Sequence, residues 1–346
     1  MGNQVQKWAD VAMFAAEPIN ASSGPSVRLL SCNNDPLGTI AAAALMYEGK
    51  SVESLSDITD EQRRYYLEQV QKSVLEAPLE FVNFHFIITG VTRGFTHQMV
   101  RQRTATYTQE STRFAVKEDV PVGLPPSLDG TIPWNEWLNK CARELYPLAE
   151  NHGANEALLR QDVINYAQMS ATPQQIWRRD WDEAVKDIGA TYNALVDAGM
   201  PAEDARGLLP TNLLTRINYN TSMRGLKEHA GVRLCTQAQY EWRLVWTEML
   251  KAVREYGKSQ TYNGTSSGGV MFVQEPASWQ FDALADVFKP ICYARGKCQF
   301  MADVDRACSI RDRVNRHAEL GEPSSEWRDI ERAEWMLDPA AARIHG

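Results

Sequence analysis

Between Arg101 and Phe114 the chain places three arginines (Arg101, Arg103 and Arg113), two glutamines (Gln102 and Gln109), Glu110 and Ser111 in one short stretch. Arginine is permanently charged and carries a planar fork of donors that suits bidentate recognition of phosphate. Serine and glutamine add neutral donors that can reach a phosphate or a base edge. The bland alternative is a solvated, charged helix end with a surface ion pair. Against it, the stretch directly follows a strongly apolar strand and helix, which puts it beside the core. A second arginine-bearing run follows later, from Ala205 and Arg206 through Thr215-Arg216 to Arg224 and Arg233. Taken alone, this run fits an amphipathic helix with arginines on its wet face.

Near the C-terminal end, Cys292, Cys298 and Cys308 lie close together, with His317 beyond. Three thiolates and an imidazole could complete a tetrahedral zinc site. The spacing is not the common C-x2-C, so the favoured reading is buried apolar thiols in a small helical appendage packed by Trp327, Trp335 and Leu337. Ser266, Ser267, Gly268 and Gly269 form a loop and not a strand-to-helix G-x-G-x-x-G turn, which argues against a Rossmann flavoenzyme.

The elements that must position these groups are legible in part. Val27–Cys32 suits a strand, followed by a turn at 33–36. Leu37–Tyr47 suits a helix ending at Gly49. Asp57 or Thr59 could cap a helix over roughly 60–75. Phe81–Val91 alternates with period two and is rich in aromatic and β-branched residues, which predicts a strand. A helical stretch over roughly 96–104 follows. Residues 120–135 read as loop. Residues 136–200 read as mostly helical, with a break near Ala171-Thr172-Pro173. Pro201-Ala202-Glu203-Asp204 opens another helix. Residues 212–254 read as long helical material, 257–269 as a loop or linker, and 270–346 as a smaller helical appendage. The predicted organisation is a catalytic domain over 1–256 with a helical insertion at about 120–200, then the appendage.

The chain has 346 residues, 44% hydrophobic and 23% charged, which is an ordinary globular composition able to bury a sizeable core. Its net charge of −8 argues against sequence-independent nucleic-acid binding. A local basic site for one small phosphorylated ligand is compatible with that charge. No apolar run reaches membrane-span length, and the N-terminus lacks a signal pattern, so the expectation is a cytoplasmic protein without a membrane partner. Six cysteines in a chain of this length argue against a disulfide framework.

The first arginine stretch resembles the flavin-dependent thymidylate synthase (ThyX) signature R-H-R-x5-(E/Q)-x-S-x-R-Y. It matches at Arg101, Arg103, Gln109, Ser111 and Arg113, and conservatively at Phe114. Gly90-Val91-Thr92-Arg93 and Thr96-His97-Gln98 resemble that family's lead-in. The second run resembles the family's A-R-x-x-L-P-x-N-x-x-T-R, two spaced arginines and A-Q-W-E. It matches at Ala205-Arg206, Leu209-Pro210, Asn212, Thr215-Arg216, Arg224, Arg233 and Ala238-Gln239-Tyr240-Glu241. The resemblance covers roughly residues 25–255.

That resemblance implies an α+β fold, a mixed or antiparallel sheet flanked by long helices, with the C-terminal helical appendage added. It implies dUMP as substrate, held by Gln98, Arg101, Gln109, Glu110, Ser111, Arg113, Arg206 and Arg233, with Arg233 activating the pyrimidine. It implies FAD against Arg101, Gln102, Arg103, Gln109, Ser222, Arg224, Glu228 and Gln237. NADPH as reductant, 5,10-methylene-tetrahydrofolate as carbon donor and a homotetramer with shared active sites are implied as well. No Pro-Cys-His-type nucleophile of the classical thymidylate synthases is seen, and the flavin-dependent route needs none.

The chain departs from the family mostly on the flavin side. Gln102 stands where His is usual, Phe81 where a His follows Glu80, and Ala77 where a small hydroxyl residue is often found. Ser222 and Glu228 replace Asn, and Gln237 replaces His. These changes leave open altered flavin contacts, a drifted enzyme acting on dCMP or leaving a hydroxymethyl group, and a non-catalytic nucleotide-binding relative.

Overall fold

The computed structural model describes residues 24–113, 120–128, 130–145, 156–235, 238–259 and 278–292. In chain order it begins with β1 (Ser26–Cys32), α1 (Pro36–Leu45), α2 (Asp60–Lys72), β2 (Asn83–Thr92), α3 (Arg93–Met99) and β3 (Ala105–Gln109). Then come α4 (Trp134–Leu145), α5 (Glu156–Ser170), α6 (Pro173–Asp197) and α7 (Ala202–Ala205). The last elements are β4 (Leu214–Ser222), α8 (Met223–Arg233), α9 (Tyr240–Ser259) and α10 (Ser278–Ala285). The described residues divide into two compact units, 111–214 and 24–110 with 215–292. The fold class is the expected α+β.

The second unit is built on a four-stranded sheet in the order β1-β2-β4-β3. β1 and β2 are antiparallel, with Val27 opposite Ile88 and Leu29 opposite Phe86. β3 and β4 are also antiparallel, with Tyr107 opposite Tyr219. The Met223 N–H donates to the Val82 carbonyl at 2.8 Å, so the end of β4 meets the start of β2. In β2 the period-two pattern turns Phe84, Phe86 and Ile88 fully inward. Each such side chain contributes about 1.5–3 kcal/mol of burial free energy. The helices over this face supply Leu37 and Ile40 from α1, Leu226 and Ala230 from α8, and Trp242, Trp246 and Val253 from α9.

The capping chemistry follows the sequence. Asp35 caps α1 by accepting from the Gly38 N–H at 2.9 Å, and it also accepts from Arg63 Nε at 3.1 Å. Thr59 and Gln62 form a capping box at the start of α2, resolving the choice between Asp57 and Thr59. The α1 helix ends earlier than expected, passing into a short 3-10 turn before Gly49, which takes φ +69°.

Two stretches differ from expectation. Residues 214–222, expected to be helical, form strand β4. Thr215, Ile217, Tyr219 and Thr221 are buried while the residues between them are not, a period of two rather than 3.6. The helix expected over 96–104 is the shorter α3, after which the chain turns and enters strand β3.

The 111–214 unit contains α4 to α7. Leu138 and Cys141 of α4 meet Val163 and Ala167 of α5 in a small core, with Trp134 and Trp137 packed against it. Arg178 of α6 is 3% exposed and donates from Nε to Asp182 at 2.8 Å and from Nη1 to the Thr131 carbonyl at 2.7 Å. A capping box at Thr172 and Gln175 starts α6 at the expected break. Of the region expected to form a C-terminal appendage, the described part, 278–292, packs into the main core through Phe281, Leu284 and Phe288. The Gln280 side chain accepts from the Leu37 N–H at 3.0 Å. Among the described residues no helix is long and apolar enough to cross a membrane.

Candidate active site

In the sheet-bearing unit, α3 carries Gln98, α8 ends at Arg233, and the first turn of α9 carries Glu241 and Trp242. Thr92 caps α3 by accepting from the Phe95 N–H at 3.0 Å. Glu241 secures that cap from the far side. The Thr92 N–H donates to one carboxylate oxygen at 2.6 Å, and its hydroxyl donates to the other at 2.6 Å. Burial holds the Glu241 carboxyl above its ordinary pKa.

One residue further on, Trp242 governs the opposite end of α3. Its Nε1–H donates to Gln98 Oε1 at 3.0 Å, and the same oxygen accepts from Arg233 Nη1 at 3.4 Å. The Gln98 amide donates to Gln239 Oε1 at 2.7 Å. The Arg233 guanidinium carbon lies 4.6 Å from the Trp242 ring centroid, a cation–π arrangement. Arg233 is half-buried, and its Nε is buried without a hydrogen-bond partner among the described residues. Burial lowers its pKa, yet a guanidinium keeps its charge in proteins. The arrangement is a fixed positive fork with an unspent donor.

One turn back on α8, His229 lies beneath that arginine, a neighbour the sequence reading missed. Its ring stands edge-on to Trp242, with centroids 4.8 Å apart and planes at 81°, and it also faces Trp246 and Tyr219. Its Nδ1 is buried and unpartnered among the described residues. Burial, and secondarily the Arg233 charge, push its pKa down to about 3. At neutral pH it is therefore an uncharged filler under the cation. The signal available in the sequence was its spacing, four residues before Arg233 on one helix face.

Gln102 is committed to the protein's own groups. Its amide donates to the Gly225 carbonyl at 3.0 Å, and its Oε1 accepts from the hydroxyls of Tyr219 at 2.8 Å and Tyr107 at 3.4 Å. Those two rings stack at 5.4 Å, and burial pushes both phenols well above their ordinary pKa, so both remain donors. Gln102 thus braces the first turn of α8 against β3 and β4. Gly225 is required there, because a Cβ would stand 2.5 Å from Thr221 Oγ1.

The other residues expected around flavin and nucleotide in this unit are more open. Arg101 and Arg103 are exposed, with Arg101 Nη2 3.4 Å from His97 Nε2. Gln109 donates to Thr96 Oγ1 at 2.8 Å. The Glu110 carboxylate faces Arg216 at 3.5 Å, and its backbone N–H donates to the Arg216 carbonyl at 3.1 Å. Ser222 caps α8 by accepting from the Gly225 N–H at 3.2 Å. Arg224 pairs with Glu80 at 2.6 Å and Glu228 at 3.3 Å. Gln237 lies outside the described residues. Arg101 and Arg103 present exposed guanidiniums, a donor type able to hold an anionic cofactor, whereas Arg224 is engaged by two carboxylates.

In the 111–214 unit, Arg113 and Arg206 converge on Glu203. Arg113 Nε reaches one Glu203 carboxylate oxygen at 2.8 Å, and Nη2 donates to the other at 3.0 Å. Arg206 Nε donates to the Glu203 backbone carbonyl at 3.0 Å. The Arg113 N–H donates to Ser111 Oγ at 3.2 Å. Glu203 was read in the sequence only as a helix-opening acid. Of the late cysteines, Cys292 is half-buried against the main core, while Cys298 and Cys308 lie outside the described residues. Among the described residues no group of three or more His, Cys, Asp or Glu side chains could hold a metal ion.

Comparison with known proteins bears on what this arrangement is for. The chain is 29% identical to the flavin-dependent thymidylate synthase of Geobacter sulfurreducens, over 66% of this chain and 82% of that one. It is 28% identical to the enzyme of the same name from Clostridium tetani, over 72% and 92%. Among solved structures it is similar to a UMP/dUMP methylase from Streptomyces cacaoi, with a TM-score of 0.46 and 19% identity over 68% of this chain and 92% of that one. The family model for the thymidylate synthase complementing proteins, Thy1, matches residues 28–256, a span that takes in both arginine runs and every helix and strand of the sheet-bearing unit from β2 to α8. With that match across most of its length, the chain belongs to the Thy1 family.

Proposed function

We propose that this chain is a flavin-dependent thymidylate synthase that converts dUMP to dTMP, with 5,10-methylene-tetrahydrofolate as carbon donor and NADPH as reductant. The observation that carries the reading is Arg233, a half-buried guanidinium held by Gln98 and the Trp242 face. Carbon 5 of a uracil ring is a weak nucleophile. A fixed cation at the N3–O2 edge of the ring stabilises the anion left when the N3 proton passes to solvent, and that anion's delocalised charge makes C5 nucleophilic, which is preorganised electrostatic catalysis. Arg233 cannot take a proton, so its role is charge stabilisation and not base catalysis.

Gln98 orients that fork and offers an amide to the base. Ser111, Arg113 and Arg206 are assigned to the nucleotide phosphate, with Arg101, Gln109 and Glu110 completing the nucleotide contacts. Arg101, Arg103, Gln109, Ser222, Arg224 and Glu228 are assigned to FAD. FAD, when bound, supplies the hydride that completes the methyl group. Gln102 supports the flavin side indirectly, by fixing the first turn of α8. A homotetramer is the assembly implied by family resemblance, and size-exclusion chromatography with light scattering measures it.

The reading is tested by mass spectrometry of the nucleotide product after incubation with FAD, NADPH and methylene-tetrahydrofolate, with dUMP and dCMP in separate tubes. Gain of one methylene-equivalent mass on dUMP is the expected result. Turnover of dCMP with dUMP untouched would assign the chain to modified-base synthesis instead. Absence of turnover in both tubes would reject the enzymatic reading.

A further inference from the structure

Arg113 and Arg206 come from two separate family motifs, yet both hold the same residue, Glu203. The Glu203 carboxylate takes the Nε and Nη2 donors of Arg113 at 2.8 and 3.0 Å, and its backbone carbonyl takes Arg206 Nε at 3.0 Å. A carboxylate presents the same two-oxygen edge to a guanidinium as a phosphate does, so one such edge cannot serve both at once. The other bidentate edge, Nη1 with the second hydrogen of Nη2, stays open but lies directly beside the bound carboxylate. A phosphate dianion approaching beside a retained carboxylate would also meet like-charge repulsion. The two partner side chains are each about half exposed, at 49% and 50%, and Glu203 sits in the four-residue helix α7. Its side chain therefore has open solvent to turn into.

We propose that Glu203 is an internal competitor for the nucleotide phosphate. Its carboxylate holds the Arg113 fork in the ligand-free protein and is displaced when a phosphomonoester binds. The inference rests on the assignment of Arg113 to the phosphate in the proposed function. The contact makes a weak anion compete with a tethered carboxylate, whereas a nucleotide brings the binding energy of its base and sugar to the exchange. Removing the charge from Glu203 then tightens phosphate-bearing ligands, the reverse of what loss of a supporting contact does. Exposed ion pairs set the scale at roughly two- to fivefold.

The experiment is calorimetric titration of the full-length, FAD-loaded protein with dUMP and with deoxyuridine, for the wild type, Glu203→Gln and Arg113→Ala. The expected result is tighter dUMP binding in Glu203→Gln, unchanged deoxyuridine binding, and weaker dUMP binding in Arg113→Ala. Weaker or unchanged dUMP binding in Glu203→Gln, with Arg113→Ala weakened, overturns the competitor role and leaves the phosphate assignment intact. Unchanged dUMP binding in Arg113→Ala overturns the phosphate assignment itself. A crystal structure of the wild type with dUMP gives the same decision without a variant. Glu203 turned away from Arg113 supports the proposal, and an intact Glu203–Arg113 pair beside a bound phosphate refutes it.

Discussion

His229 gives a sharp test of how the Arg233 support is built. The unfolded chain binds a proton on this residue below about pH 6.5, while in the folded chain its pKa is about 3. Burial is the main cause and the Arg233 charge the second. A base whose folded pKa is depressed costs no stability above pH 6.5, where both states are neutral. Between pH 6.5 and pH 3 the unfolded state alone takes up the proton, so stability falls as the pH falls. The slope approaches about 1.4 kcal/mol per pH unit, which between pH 7 and pH 5 sums to about 2 kcal/mol. Phenylalanine has similar size and no proton to gain, and it suits a pocket lined by Tyr219, Trp242 and Trp246. Urea denaturation of the wild type and His229→Phe at pH 7 and pH 5 isolates the effect, because every other titrating group is common to both proteins. The wild type should lose about 2 kcal/mol more than the variant over that interval. Equal losses in the two proteins would refute the argument that His229 is held buried and neutral under the guanidinium.

Two further substitutions probe the supports of the site. Trp242→Phe keeps an aromatic face under Arg233 but removes the donor to Gln98, and kcat/KM for dUMP should fall by roughly tenfold, the scale of one hydrogen bond, while the volume vacated in the core lowers the melting temperature by a few degrees. Gln102→Leu leaves the Gly225 carbonyl and the Tyr219 hydroxyl without their buried partner, and should cost about 1–3 kcal/mol in denaturant unfolding. If Gln102→Leu unfolds like the wild type, the bracing role is wrong.

Much of this molecule could be read from the chain because the relevant signals are local. Alternation marked β2, Thr59 was one of two candidate caps for α2, the break near Ala171-Thr172-Pro173 falls where α6 begins, and the arginine motifs singled out Arg113, Arg206 and Arg233 as candidates. What was missed needed contacts between distant positions. Strand β4 carries a period-two pattern, but it sits between an arginine-rich motif and two true helices, and the helical reading was extended across it. Strand β3, with Thr106 and Thr108 exposed, lacks the apolar alternation of a half-buried strand. Trp242 and Glu241 look like ordinary residues at the start of a helix until the fold brings them to the two ends of α3. The ring of Gln102 partners and the pairing of Glu203 with Arg113 likewise depend on side chains remote in sequence, which no spacing rule reveals.

The central claim is that the chain replaces the C5 hydrogen of dUMP with Arg233 stabilising the charged pyrimidine. The most direct measurement is release of tritium to water from dUMP labelled at C5, with FAD, NADPH and methylene-tetrahydrofolate present, for the wild type and Arg233→Ala. The account predicts folate-dependent release by the wild type and a rate lower by about 10²–10³ in the variant, the usual cost of losing one preorganised charge-stabilising donor. Undiminished release by a folded, FAD-loaded Arg233→Ala protein would contradict it.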